Sequence, residues 1–191
     1  ATYLETAKDE LWVLAADAVV PVGSTHTPWG ARVGAPDTSP VKPRGRATWV
    51  ESSVYGGWLI AYEDTVPVLV TLMAPGRGGV AVPPRDPTKT SSTPTGKFVV
   101  TGKFLTATMD APDDVTHADV PWVQNFSGPH SIHAAYWHDA WGERVSGGCL
   151  NVSPTDGRWL FEFSEPKLPE GWHAVRWDPH IEAATVVLIH P

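Results

Sequence analysis

The chain has 191 residues, 42% of them hydrophobic, and its 21 acidic residues outnumber 14 Lys and Arg to give a net charge of −7. That length fits one domain with at most a modest extra segment, and the acidic balance leaves no cluster of Lys and Arg that would track a nucleic-acid backbone. With 17 Gly and 19 Pro the composition suits short strands and turns and excludes a helical bundle. No apolar run is long enough to cross a membrane, and Ala1-Thr2-Tyr3-Leu4-Glu5 lacks the basic start and apolar centre of a signal peptide.

In chain order, Leu11–Ala16 followed by Val19–Gly23 reads as a short strand pair or a strand after a helical turn. Gly34–Pro43 has the composition of a linker, and Lys42-Pro43-Arg44-Gly45-Arg46 is a short basic step within it, read as solvated. A boundary near residue 44 divides residues 1–44, an N-terminal extension or small module with its linker, from a main domain over residues 45–191. Strands are expected at Ala47–Glu51, Gly57–Tyr62 and Pro67–Leu72, with Trp58, Ile60 and Tyr62 on one face and Leu59 and Ala61 on the other. Val66-Pro67 belongs at an edge or strand start, because proline cannot donate to a ladder. Gly76–Pro87 is a connection, and Ser91–Gly96 a polar turn feeding a strand at Phe98–Val100.

Thr106–Asp119 is polar and acidic and reads as a surface loop, with His117 in it; His130 likewise reads as exposed. Two short strands, Pro121–Phe126 and Ser131–Ala134, flank the turn Ser127-Gly128-Pro129. One helix is well signalled: Ser153 as N-cap, Pro154 as first helical residue, Asp156 as the acidic member of a capping box, and an apolar face of Trp159, Leu160 and Phe163. Glu165-Pro166 ends it. Two strands close the chain, His173–Trp177 and Ala184–His190, the second central.

The one cysteine lies in Val145-Ser146-Gly147-Gly148-Cys149-Leu150-Asn151. Alone, it cannot form an internal disulfide or a thiolate metal cage, so it is a buried small hydrophobe or a nucleophile. Two preceding glycines free the backbone for a tight turn and open the approach to the sulfur. A histidine beside such a thiol makes it a strong nucleophile for an amide carbonyl. His133 is the expected general base, at the end of a short strand with Ala134 and Ala135 leaving room for substrate; His138, next to Asp139, is a rival. The backbone N–H groups of Gly148 and Cys149, with Ala134 nearby, are the expected support for a developing oxyanion. Trp137 and Trp141 serve equally as core or as cleft walls. A zinc set of His130, His133, His138 and Cys149 would need a helix or tight loop to converge, which Pro129 and the strand-like Ile132-His133 oppose. No metal and no cofactor are therefore expected.

At these residues the chain closely resembles the YkuD-type L,D-transpeptidase catalytic domain of bacterial cell-wall enzymes. Ile132-His133-Ala134 matches the family's upstream histidine, and Ser146-Gly147-Gly148-Cys149-Leu150-Asn151 its Ser/Thr-His-Gly-Cys-x-Arg/Asn signature, with Gly147 in place of the histidine. Ser92-Thr93-Pro94-Thr95-Gly96 is similar to its Thr-Pro-x-Gly turn, and Tyr136-Trp137-His138 and Asn151–Asp156 to further stretches. The resemblance runs from about residue 46 to the C-terminus. It implies a mainly β fold, a β-sandwich or barrel-like domain with one short helix after the cysteine.

It also implies that Cys149 attacks the L,D bond after meso-diaminopimelate in a tetrapeptide stem, releases D-Ala, and passes the acyl group to an amine. Water as acceptor would make the protein an L,D-carboxypeptidase, and loss of activity a peptidoglycan-binding domain. Tyr136, Trp137, His138, Ser146, Gly147 and Asn151 are the expected cleft. Partners are peptidoglycan stem peptides and, as acyl acceptor, an envelope protein; the chain is expected to be a monomer exported to the periplasm or cell envelope. Many family members are acylated by carbapenems.

Overall fold

In the computed structural model, which describes residues 2–5, 11–39, 41, 45–110, 115–180 and 183–191, strands β1 (Tyr3–Glu5) and β2 (Trp12–Leu14) pair antiparallel ahead of a 3-10 turn at Ala15–Asp17. Strands β3 (Thr48–Ser53), β4 (Trp58–Glu63) and β5 (Val66–Leu72) follow as an antiparallel meander. A short helix α1 (Pro87–Thr90) precedes β6 (Gly96–Val99). Next come β7 (Gly102–Asp110), β8 (Thr116–Ser127), β9 (His130–Ala134) and β10 (Leu150–Val152). Helix α2 (Pro154–Phe163), β11 (Ala174–Arg176) and β12 (Val186–His190) complete the order.

Two five-stranded sheets result, β5-β4-β3-β12-β6 and β10-β9-β8-β7-β11. The end strands of neither sheet pair with each other, so both stay open and the barrel-like alternative does not arise. Alternation in β4 places Leu59 and Ala61 in one buried cluster with Val50, Val187 and Ile189 of the first sheet and Phe126, Ile132 and Leu150 of the second. Trp58, Ile60 and Tyr62 face the other way, with Trp49 and Val186. As expected for a strand starting Val66-Pro67, β5 is an edge, and β12 is interior between β3 and β6.

The outer face of the first sheet is covered by the N-terminal stretch. Glu51, 1% exposed, accepts the Ser24 N–H at 2.9 Å and the Ser24 hydroxyl at 2.6 Å, and pairs with His190 at 3.2 Å. Trp29 packs edge-on against Trp49 and donates to Asp37. Gly34 donates to the Thr65 carbonyl, so the described part of the linker-like stretch is held by hydrogen bonds. The proposed boundary near residue 44 and Lys42-Pro43-Arg44 lie outside the described residues.

Three expectations change. Thr106–Asp119 is not a loop: its described residues belong to the long β7–β8 hairpin, whose bulge between Ala107 and Met109 bends it away from flat pairing. In α2, Phe161 joins Leu160 and Phe163 on the buried face, while Trp159 is 37% exposed and stacks on Phe163. Ser153 does cap the helix, accepting the Asp156 N–H at 3.1 Å, but the Asp156 carboxylate takes the Ser153 and Thr71 hydroxyls instead of closing a reciprocal box. Ser153→Ala is expected to cost about 1 kcal/mol, read as a lower urea midpoint with an unchanged m-value.

Candidate active site

The parallel pairing of β9 with β10 brings the two sequence motifs together. Its register sets Asn151 opposite His133 and Leu150 opposite Ile132, so Cys149, one residue earlier, arrives beside Ser131. Ser131 and His133 are two apart on one strand and share a face. The half-buried Cys149 Sγ lies 3.6 Å from Ser131 Oγ and 3.9 Å from the Pro129 carbonyl oxygen. Burial alone would push the thiol up. The hydrogen bond and charge of His133, together with the bonds from Ser131, outweigh it and hold the thiol below its ordinary value.

His133 is buried, and its Nδ1 is 3.0 Å from the Ala134 carbonyl oxygen. A carbonyl only accepts, so Nδ1 carries a proton and Nε2 is the ring nitrogen left to exchange one with the thiol. Ala134 thus contributes a carbonyl that orients the imidazole.

The cysteine loop is held from several sides. Gly148 sits at φ +129°, where a Cβ would fall 2.9 Å from both His130 Nε2 and the Ser92 carbonyl oxygen. The Ser146 hydroxyl donates to the Cys149 carbonyl at 2.6 Å and accepts the Gly148 N–H at 3.0 Å. Gly148 N–H, expected to face an oxyanion, is therefore already donated within the loop. Among the described residues no hydrogen bond of this kind engages the Cys149 N–H. Thr93, fully buried, donates to the Gly148 carbonyl at 3.0 Å and accepts the Gly76 N–H at 2.9 Å. The Arg77 N–H donates to the Ser146 carbonyl at 2.9 Å. Gly148→Ala is expected to destabilise by about 1–3 kcal/mol through its left-handed backbone and the two close approaches, seen as a lower Tm together with slower alkylation of Cys149.

An open pocket of about 380 Å³ lies over the thiol. Of the expected cleft residues, Trp137, Ser146, Gly147 and Asn151 line it together with Cys149 and His133. Tyr136 and His138 stand outside that lining. Tyr136 is exposed and its hydroxyl donates to the Ala118 carbonyl at 2.7 Å, tying this segment to β8. His138 accepts the Ala140 N–H at Nδ1 and meets the Asn151 side-chain amide 3.1 Å from Nε2. Burial, then the like charges of His133 and His117, hold His138 below its ordinary value against the opposing pull of Asp139. Trp141 packs against the His138 ring.

Two other histidines differ from expectation. His130 is 4% exposed, belongs to β9, and lines the pocket. His117 is in β8, stacked on Trp137 with ring centroids 3.8 Å apart, and also lines it. Both were hidden by neighbouring turn formers that resemble loop sequence. Sequence reasoning also missed Ser131, Thr93, Arg77 and the hairpin-tip residues Met109, Asp110 and Val115. Thr93 alone had a signal, its place in a motif turn. Among the described residues no group of three or more His, Cys, Asp or Glu side chains is arranged to hold a metal ion.

Residues 56–185 match the family model of the YkuD domain, the L,D-transpeptidase catalytic domain. No curated protein matches the chain. An L,D-transpeptidase from Mycobacterium smegmatis is similar in structure, with a TM-score of 0.57 at 16% identity over 77% of this chain and 60% of its own. An L,D-transpeptidase solved in complex with imipenem gives 0.56 at 18% identity over 76% and 60%. One from Enterococcus faecium gives 0.54 at 22% identity over 75% and 50%. Such identities speak to the fold, and the chain spans only 50–60% of those three relatives. With β4 to β11, His133 and Cys149 all inside the matched span, the chain belongs to the YkuD-type L,D-transpeptidase family.

Proposed function

We propose that the protein is a peptidoglycan L,D-transpeptidase with Cys149 as nucleophile and His133 as general base. One observation carries the reading: His133 is anchored through Nδ1 on the Ala134 carbonyl, and its imidazole holds the Cys149 thiol below its ordinary value. A thiol held below its ordinary value is enriched in thiolate, the form that attacks. The thiolate attacks the carbonyl of meso-diaminopimelate in a tetrapeptide stem. The Cys149 N–H faces the developing oxyanion, and His133 returns its proton to the amine of the departing D-Ala.

The thioester that remains passes to an amine on a second stem or on an envelope protein. Gly147 removes an imidazole from the family signature but neither reacting group, so both half-reactions keep their machinery. Peptidoglycan chemistry places the working protein in the periplasm or cell envelope. Among the described residues no helix is long and apolar enough to cross a membrane.

The test is incubation with a disaccharide-tetrapeptide, with and without a second stem. Cross-linked dimer together with free D-Ala supports the transpeptidase reading. Tripeptide and D-Ala alone, with the second stem in excess, reassign the protein as an L,D-carboxypeptidase. Binding without turnover by a folded sample overturns the enzyme reading.

A further inference from the structure

A second groove, of about 350 Å³, lies where β7 and β8 meet the C-terminal end of α2 and the segment leading into β11. No residue lines both it and the pocket over the thiol. Phe161, 4% exposed, forms its base, and Lys103 Nζ sits 4.4 Å from that ring while donating to the Phe161 and Ser164 carbonyls. Trp122 stands beside Phe161 with ring centroids 5.5 Å apart, on a backbone at φ +60°. A bulky residue held in the left-handed region inside a strand is a costly arrangement of the kind that clusters at ligand sites. Trp172, 59% exposed, adds an open aromatic face.

The groove's cations are already engaged. Lys103 is bound as above, and Lys167 donates to the Glu162 and Phe163 carbonyls and pairs with Glu165 at 3.7 Å. Glu162 is taken by Arg158 at 2.8 Å. Among the described residues no hydrogen bond or ion pair engages the Glu170 carboxylate or the indole N–H of Trp122 or Trp172. An anionic ligand would meet an uncompensated carboxylate and no open cation, and an apolar one would leave all three groups unmatched. A cationic one would face Arg158, 5.9 Å from the Trp122 ring, and would leave both N–H donors without an acceptor. A hexopyranose meets every requirement. Its axial C–H face is apolar and lies flat on an indole, while its hydroxyls accept from N–H groups and donate to a carboxylate.

We propose that this groove binds the glycan strand of peptidoglycan, a chain of N-acetylated hexopyranoses, a deepening that rests on the peptidoglycan reading. One sugar ring stacks on Trp172 and its hydroxyls donate to Glu170. An acetamide carbonyl accepts from an indole N–H, and the acetamide methyl packs on Leu105 or Leu168 at the groove wall. Stem peptides branch from that strand. Holding the glycan in a separate groove raises the local concentration of stems at Cys149 and takes no part in the acyl transfer itself.

The probe is chitotetraose, a stem-free β-linked tetramer of N-acetylglucosamine, titrated by isothermal calorimetry; the wild type is expected to bind it saturably. Trp172→Ala is expected to weaken binding about tenfold, the size of one lost aromatic contact, and Glu170→Ala by several-fold. Both side chains are exposed, so both variants should keep the wild-type Tm within about 3 °C. No saturable binding by the wild type up to about 10 mM ligand, or binding that Trp172→Ala leaves unchanged, overturns the proposal. A free tripeptide stem bound in the same Trp172-dependent way assigns the groove to peptide and overturns it too. Chitotetraose carries no L,D bond, so the result is independent of Cys149 chemistry. A protein that binds the glycan and releases no D-Ala loses the transpeptidase reading and keeps this site.

Discussion

Cys149→Ala is expected to abolish D-Ala release from a tetrapeptide stem, lowering kcat/KM by at least about 10⁴-fold. This is the only cysteine in the chain, and among the described residues lining the pocket no other thiol stands with His133. Ser131 is the nearest hydroxyl, 3.6 Å from the sulfur, but it sits on the strand that carries the base and bonds to the thiol. Removing Sγ leaves the pocket walls in place, and the alanine variant should keep the wild-type Tm within about 3 °C. Retained D-Ala release by the folded variant would contradict the assignment. Release lost together with cooperative unfolding would point to a packing role.

His133→Gln is expected to lower the acylation rate by about 10²–10⁴-fold and to change the pH dependence of the thiol. In the wild type the depressed thiol titrates below the ordinary value of about 8.5. Alkylation of Cys149 by iodoacetamide should therefore rise with pH through an inflection on the acid side of that value. In the variant the hydrogen bond and charge of the imidazole are gone while the upward push of burial remains. The inflection must move to higher pH, and the rate at neutral pH must fall with it. An inflection that stays where it was would mean that Ser131 and the local backbone activate the sulfur, leaving His133 without its assigned task. His138 gives a control: it is engaged by Asn151 and Ala140, and His138→Gln should move the inflection far less.

Much of this arrangement was legible before any coordinates. Alternation in Trp58–Tyr62 separated the two faces of the first sheet correctly, because a strand buried on both sides still sorts its residues by period two. Ser153-Pro154 marked the start of α2 by local chemistry alone. The β7–β8 hairpin was not legible. Its residues are polar and half-exposed, and the bulge between Ala107 and Met109 spoils what alternation remains.

The same cause hid the pocket's far wall at Met109, Asp110 and Val115, which reaches Cys149 only through tertiary pairing. His130 was misread because Ser127-Gly128-Pro129 before it signals a turn, and nothing local shows that the chain re-enters a buried strand one residue later. The spent Gly148 N–H has a similar origin. It depends on which way one serine hydroxyl turns, a choice made by the loop as a whole.

The central claim is that Cys149 is an accessible, activated thiol that accepts acyl groups. Intact-protein mass after mixing with a carbapenem, with Cys149→Ala as control, tests it most directly. The account predicts one covalent adduct on the wild type, mapped to Cys149 and absent from the variant. No adduct on a folded wild-type sample, or an equal adduct on Cys149→Ala, would contradict it.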